Sequence, residues 1–151
     1  MTGGARQRVA GPAQLVLVRF TRPETAPCFL PMPLDWTHGD LLEGLRCFHS
    51  GAFFEAHEHW ESVWLAAQEP EKTFLQGLIQ VAASFHHFRR GNCAGTISLL
   101  RSALRRLDGY PEVFAGVAVA PLRVALRSWL EALETVPRCA PPPVPAITLT
   151  V

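Results

Sequence analysis

Apolar residues recur at helical spacing through most of this chain, and short breaks divide them into segments. The first stripe consists of Leu41, Leu42, Leu45 and Phe48. Residues three or four apart share one face of an α-helix, whereas a half-buried strand alternates at every second residue. The spacing therefore predicts an amphipathic helix that begins near Asp40 and ends at Ser50-Gly51.

Four further segments continue the helical pattern and are predicted as helices over about 52–67, 71–90, 93–107 and 121–135. Gln68-Glu69-Pro70, Gly91-Asn92 and the turn at 108–111 separate them. The segment at 71–90 is apolar on most sides, which is typical of a helix at the centre of a bundle. Short breaks between helices favour neighbours that pack against each other. The sequence thus predicts an all-α fold, a compact bundle of about five helices.

The two ends of the chain differ from this helical domain, which we place at 37–136. Residues 1–36 read as an extended, irregular segment in which Ala13 to Phe20 could form a short strand. Residues 137–151 form a Pro-rich tail that becomes β-like from Ala146 onward. One option is that this end of the tail pairs with the N-terminal strand.

Composition excludes several classes of protein. Hydrophobic residues make up 48% and charged residues 18% of the 151 residues, which suits one folded domain with a core. The net charge of +1 gives no reason to expect nucleic acid or an anionic membrane as partner. The longest apolar run, Leu15 to Val18, is too short to span a bilayer. The 4 cysteines are scattered without a Cys-x-x-Cys pair, so we expect reduced thiols and a cytoplasmic location.

The stretch from Phe53 to Trp64 concentrates the groups that can do chemistry. His57 and Glu61 are four residues apart and share a helix face, with Trp64 one turn further on. A zinc protease would need histidine at the position of Glu61, so that signature fails. A His-x-x-x-Glu pair can still supply two metal ligands, with others from a neighbouring helix. The alternative is a structural His–Glu hydrogen bond between helices.

The neighbouring polar residues receive weaker predictions. Glu58 lies about 100° around the helix from His57, where it could flank the same site, although an exposed helper charge is the favoured alternative. Trp60 and Trp64 are expected in the core or in a pocket wall, and we expect surface positions for Glu55 and His59.

The predicted helix at 71–90 adds further polar groups. Gln76, Gln80 and His87 share a face that could be a solvent strip. His86 lies among apolar residues, where it is either a satisfied core histidine or a third ligand beside His57. Gly77 is expected to allow close helix packing.

Three segments together resemble the bacterial and archaeal family named domain of unknown function 309. They run from Phe48 to Trp64, from Phe74 to Gln80 and from Arg90 to Asn92, the last preceded by a histidine. The resemblance covers about Leu41 to Leu107, with a weaker echo to about residue 135. It implies a small all-α bundle whose His-Glu-x-x-Glu-x-x-Trp motif is suggested to bind metal, with no activity established. The matching positions are His57, Glu58, Glu61, Trp64, Gln76, Gly77 and His86.

The chain departs from the family pattern in three places. Leu65 stands where a basic residue often follows the tryptophan, and Val117-Ala118-Val119 lacks an aspartate often found there. The first 35 residues lie outside the family core. The missing basic residue weakens any hypothesis in which the motif binds an anionic substrate.

Two hypotheses from different functional classes follow. In the first, a polar pocket binds a divalent metal or a small ligand, and its residues are His57, Glu58, Glu61, Trp64, Gln76 and His86. The candidate metal ligands are His57, Glu61 and His86, and no other cofactor is implied. Whether the protein is an enzyme stays open, but His57 oriented by Glu61 would serve as general base. In the second hypothesis, the helices form a protein-interaction or homo-oligomerisation module, and the His–Glu pair is structural.

Overall fold

Five α-helices follow one another in the computed structural model, which describes residues 33–135 and 141–150. The predicted N-terminal strand at Ala13 to Phe20 lies outside the described residues. The helices are α1 (Gly39–Ser50), α2 (Phe53–Ala66), α3 (Glu71–Arg89), α4 (Cys93–Leu107) and α5 (Val119–Thr135). Each helix packs against its neighbour in sequence, which confirms the predicted all-α bundle. Among the described residues, no helix is long and apolar enough to cross a membrane.

The central helix α3 packs against both α2 and α4. Its buried residues are Phe74, Leu75, Gly77, Leu78, Ile79, Val81, Ala82, Ser84 and Phe85. The one buried hydroxyl in this set, on Ser84, donates to the carbonyl of Val81 at 2.7 Å, so its burial leaves no donor unpaired. A Cβ on Gly77 would lie 3.1 Å from Cδ2 of Leu107, and the glycine therefore allows α3 and α4 to approach closely, as predicted.

Helices α1 and α2 are held together around the indole of Trp60. This side chain is fully buried, and its Nε1 donates to the carbonyl of Leu41 at 3.3 Å. Gly44 faces the indole from α1, where any Cβ would lie 2.4 Å from Nε1. Gly51 ends α1 with a φ of 85°, a conformation that glycine adopts without the cost a side chain imposes. These contacts fix the orientation of α2, which carries the motif.

A short hairpin, which the sequence did not predict, connects α4 to α5. Its strands are β1 (Val113–Phe114) and β2 (Val117–Ala118), and they pair antiparallel. The two residues between them, Ala115 and Gly116, have φ of 49° and 78°. Positive φ at both positions characterises a tight hairpin loop, but Asn-Gly or Asp-Gly is its usual sequence signal. Ala-Gly lacks that signal, which explains the omission.

The Pro-rich tail packs across the bundle. Leu149 forms an isolated bridge with Val117 of β2, so the described partner of this end of the tail is the hairpin. Ile147 is buried in the core, and its backbone N–H donates to Nε2 of His49 at 3.2 Å. The carbonyl of Pro143 accepts from Nε1 of Trp129 at 2.9 Å. The tail therefore contributes to the same core as the helices.

Candidate functional site

The motif lies on α2, which buries part of its surface in the core and leaves the polar residues of the motif partly or fully exposed. Phe53, Ala56 and Trp60 are the buried residues of this helix. His57 is half-buried, with 27% of its side chain exposed, and it projects from the face that the core leaves free. The burial of Trp60 fixes the rotation of α2 about its axis, and His57 is therefore held at the surface.

Two carboxylates stand beside the imidazole of His57. Its Nδ1 lies 3.1 Å from Oε1 of Glu58 and 3.9 Å from Oε2 of Glu61. One donor atom from each of the three residues can be chosen so that all lie within 4.8 Å of one another. The side chains of Glu58 and Glu61 are 55% and 46% exposed, so the cluster faces solvent. The structure thus assembles an open group of one nitrogen and two oxygens.

Glu58 lies closer to the imidazole than its predicted position as an exposed helper charge suggests. Its carboxylate is nearer to His57 than the carboxylate of Glu61 is, although it is the more exposed of the two. A signal for this was present in the sequence, because Glu58 and Glu61 are three residues apart and so are neighbours on a helix. The expectation for Glu58 rested on its angle from His57 and took no account of its spacing from Glu61.

His86 lies near His57 but outside the three-residue group. Both imidazoles border a small cavity of about 160 Å³, together with Phe54, Ala83 and His87. The ring of Phe54 is stacked on His57 with centroids 6.3 Å apart, and it lies 5.5 Å from the ring of His86. Phe54 is 51% exposed and packs against both histidines. Its ring therefore lies beside both imidazoles at the edge of the cavity.

Trp64 follows the motif and forms part of the packed interior rather than of the donor group. It is half-buried against the core, and Nζ of Lys72 lies 4.8 Å from its ring centre. Its Nε1 is sealed from solvent and has no hydrogen-bond partner within the described part of the chain. Neither Glu61 nor Gln76 accepts from it there.

The polar residues of α3 form hydrogen bonds with α4 and with the residue before it, so they are not simply a strip exposed to solvent. These residues, which we call the polar stripe, are Gln76, Gln80 and His87. Arg106 donates from Nε to Gln76 at 3.1 Å and from Nη1 to Gln80 at 3.2 Å. His87 continues the stripe, and its Nδ1 lies 2.9 Å from the amide nitrogen of Asn92. Gln76 thus belongs to a contact between helices, and it is not among the three clustered donors.

A second histidine of the motif also has a specific partner. Nδ1 of His59 lies 2.8 Å from Oδ1 of Asp40, and the hydroxyl of Ser62 donates to Oδ2 at 2.7 Å. These hydrogen bonds lower the pKa of the Asp40 carboxyl, His59 having the larger effect. His59 was expected at the surface, and 37% of its side chain is exposed there. Because Asp40 lies 19 residues earlier in the chain, spacing within α2 could not reveal this contact.

Comparison with known proteins shows that the segment carrying this site is similar to a family. Residues 41–99 match the model of a family described as Domain of unknown function (DUF309). This segment is similar to the DUF309 family. It includes α1 to α3 and the first part of α4, and all three clustered donors of the motif lie within it.

One relative of this segment is an "Uncharacterized protein" of Aquifex aeolicus (strain VF5). It is 32% identical over 95 residues, which are 62% of this chain and 28% of the Aquifex protein. The chain therefore matches less than a third of the length of that relative. The shared part corresponds to a unit that occurs inside a longer protein.

Proposed function

We propose that this protein binds one divalent transition-metal ion through His57, Glu58 and Glu61. The observation that carries the proposal is the convergence of one imidazole nitrogen and two carboxylate oxygens within 4.8 Å. Ligands bonded to zinc at about 2.0–2.2 Å stand roughly 3–3.5 Å apart, so small side-chain rotations would suffice. Imidazole and carboxylate ligands suit Zn²⁺, Fe²⁺ and Mn²⁺.

The charges of the group favour a cation. Glu58 and Glu61 are neighbours on the helix, and two like charges at this spacing repel each other. A divalent ion would replace that repulsion by attraction to both carboxylates. Phe54, stacked on His57, supports the imidazole from the side. Three ligands from the protein leave coordination positions open for water or for a small ligand, where a bound metal would act as a Lewis acid.

The exposure of the carboxylates argues against a mainly structural role for the His–Glu contacts. Both are about half exposed, and ion pairs between exposed groups contribute about 0–1 kcal/mol to stability. We therefore expect His57→Ala to leave the metal-free protein nearly as stable as the wild type. A structural hydrogen bond with a buried partner would instead cost about 1–3 kcal/mol on truncation. Three statements remain predictions from the sequence: a cytoplasmic location, no binding of nucleic acid, and an ability to form homo-oligomers.

Metal content and thermal unfolding of the tag-free protein test the proposal. We expect about one metal ion per chain after loading, and a Tm that rises with Zn²⁺ or Mn²⁺ in the wild type but not in His57→Ala. His38→Ala is the matched control, because His38 forms an exposed pair with Asp35 at 3.1 Å and lies outside the group. His86→Ala tests whether His86 is a fourth ligand. Retained metal binding in this variant supports a site of three ligands, and lost metal binding would make His86 a ligand as well. Substoichiometric metal with no Tm shift in the wild type would contradict the proposal.

A further inference from the structure

A second cavity, away from the proposed metal group, lies where the chain enters α1 and α2 gives way to α3. Its volume is about 360 Å³, within the range of about 300–1,000 Å³ that is usual for small-molecule sites. Its apolar lining residues are Pro33, Leu34, Leu41, Val63, Ala66 and Ala67. This wall comes from three separate parts of the chain, and it could hold the apolar body of a small organic molecule.

The charged groups around this cavity are of one sign. Asp35, Asp40 and Glu71 line it, and no lysine or arginine of the described chain does. Hydrogen bonds, from Thr37 to Asp35 and from His59 to Asp40, lower the pKa of both aspartates and keep them ionised. The lining histidine, His38, is already paired with Asp35 at 3.1 Å. The cavity therefore favours a positively charged guest.

Glu71 differs from the two aspartates because part of its carboxylate is unused. Its Oε2 is sealed from solvent and has no hydrogen-bond partner among the described residues. Glu71 is the first residue of α3, where a carboxylate often caps the helix. Here Glu69 has that role, since its carboxylate accepts from the N–H of Thr73 at 3.1 Å and from its hydroxyl at 2.8 Å. Because Glu71 also lines the cavity, a turn of its side chain would bring Oε2 to a ligand there and give that oxygen a partner.

We propose that this cavity binds a small organic amine whose apolar body lies against Leu41 and Val63 and whose ammonium group pairs with Glu71. An ammonium group offers three donors and no acceptor, which matches a carboxylate without donors of its own. Hydrogen bonds in which both partners are charged are about twice as strong as neutral ones. An alcohol with the same body could donate one hydrogen bond but carries no charge, and a carboxylate would be repelled.

Three probes with one shared phenyl body separate these contributions in the full chain. They are 2-phenylethylammonium, 2-phenylethanol and 3-phenylpropionate, each titrated into ¹⁵N-labelled protein while the amide shifts of Leu41, Val63 and Ala67 are followed. We expect the ammonium to bind at least tenfold more tightly than the alcohol, and the carboxylate to bind more weakly than both. Equal affinities, a preference for the carboxylate, absence of binding, or shifts centred on other residues would overturn the proposal.

Two variants and a control locate the interaction. Glu71→Gln keeps the shape of the side chain and should reduce the affinity for the ammonium to that for the alcohol. Ala66→Leu should weaken all three probes because it fills part of the cavity. Glu55→Gln alters an exposed carboxylate on α2 that does not line the cavity, and it should change nothing. An ammonium affinity unaffected by Glu71→Gln would refute the pairing, whatever the outcome at the metal group.

Discussion

Gly44 offers the sharpest test of how the bundle positions the motif. A Cβ at this position would lie 2.4 Å from Nε1 and 2.5 Å from Cδ1 of Trp60. Non-bonded heavy atoms prefer about 3.5–4.0 Å, so Gly44→Ala requires a shift of about 1 Å. Trp60 cannot retreat easily, because it is fully buried and the rings of Phe48 and Trp36 lie 5.8 and 6.4 Å away. The substitution must separate α1 from α2 or turn the indole.

The expected cost of Gly44→Ala follows from three contributions. Overpacking of a core costs about 1–3 kcal/mol, and loss of the bond from Trp60 to the carbonyl of Leu41 adds about 1 kcal/mol. Alanine regains about 1 kcal/mol over glycine inside a helix. The free energy of unfolding should therefore fall by about 1–3 kcal/mol.

Urea denaturation followed by tryptophan fluorescence measures this change, and Gly77→Ala is the control. In that variant the new Cβ would lie 3.1 Å from Cδ2 of Leu107, a contact that a displacement of a few tenths of an ångström relieves. The helix preference for alanine should then offset most of the strain, and we expect a loss of about 0–1 kcal/mol. A Gly44→Ala variant as stable as the wild type, or as stable as Gly77→Ala, would refute the reasoning.

Three further predictions concern other contacts. Tyr110 is the only tyrosine, and burial, followed by the negative charge of Glu69, raises the pKa of its phenol above 10.0. Its absorbance near 295 nm should therefore titrate above that pH. The free energy of unfolding should fall as the pH rises past 10.0, because the unfolded chain loses this proton there before the folded chain does. A phenol that titrates at or below 10.0 in the folded protein would contradict this. Asn92→Ala removes the cap that accepts from the N–H of Gly95 at 2.9 Å and should cost about 0.5–2 kcal/mol in urea, whereas an unchanged midpoint would count against the cap. His49→Ala removes the acceptor of the Ile147 N–H and should cost about 0.5–1.5 kcal/mol by the same assay, and a neutral result would mean that this bond does not help to hold the tail.

The helices could be predicted from the sequence because their signals are local. Ser50-Gly51 and Gly91-Asn92 mark the ends of α1 and α3 to within about two residues, the usual precision for such boundaries. The last helix was predicted from Pro121, yet α5 begins at Val119. Proline is tolerated throughout the first turn, where its missing N–H has no partner in any case, so it fixes the start of a helix only approximately.

The candidate site was less predictable because it depends on contacts across the fold. Helical spacing brought His57 and Glu61 together, and the structure adds Glu58 to them. Spacing could not show that Phe54 packs against both His57 and His86, because that contact depends on how α2 lies on α3. The contact of His59 with Asp40 of α1 could likewise not be predicted from spacing within α2.

Paramagnetic broadening by Mn²⁺ tests the central claim most directly, because it reports where the ion binds as well as whether it binds. Substoichiometric Mn²⁺ is added to the tag-free ¹⁵N-labelled chain, and amide intensities are compared residue by residue. The account predicts a single broadened region centred on His57 to Glu61, which disappears in His57→Ala. Uniform weak broadening, or a centre at the exposed pair of Asp35 and His38, would contradict a metal site formed by His57, Glu58 and Glu61.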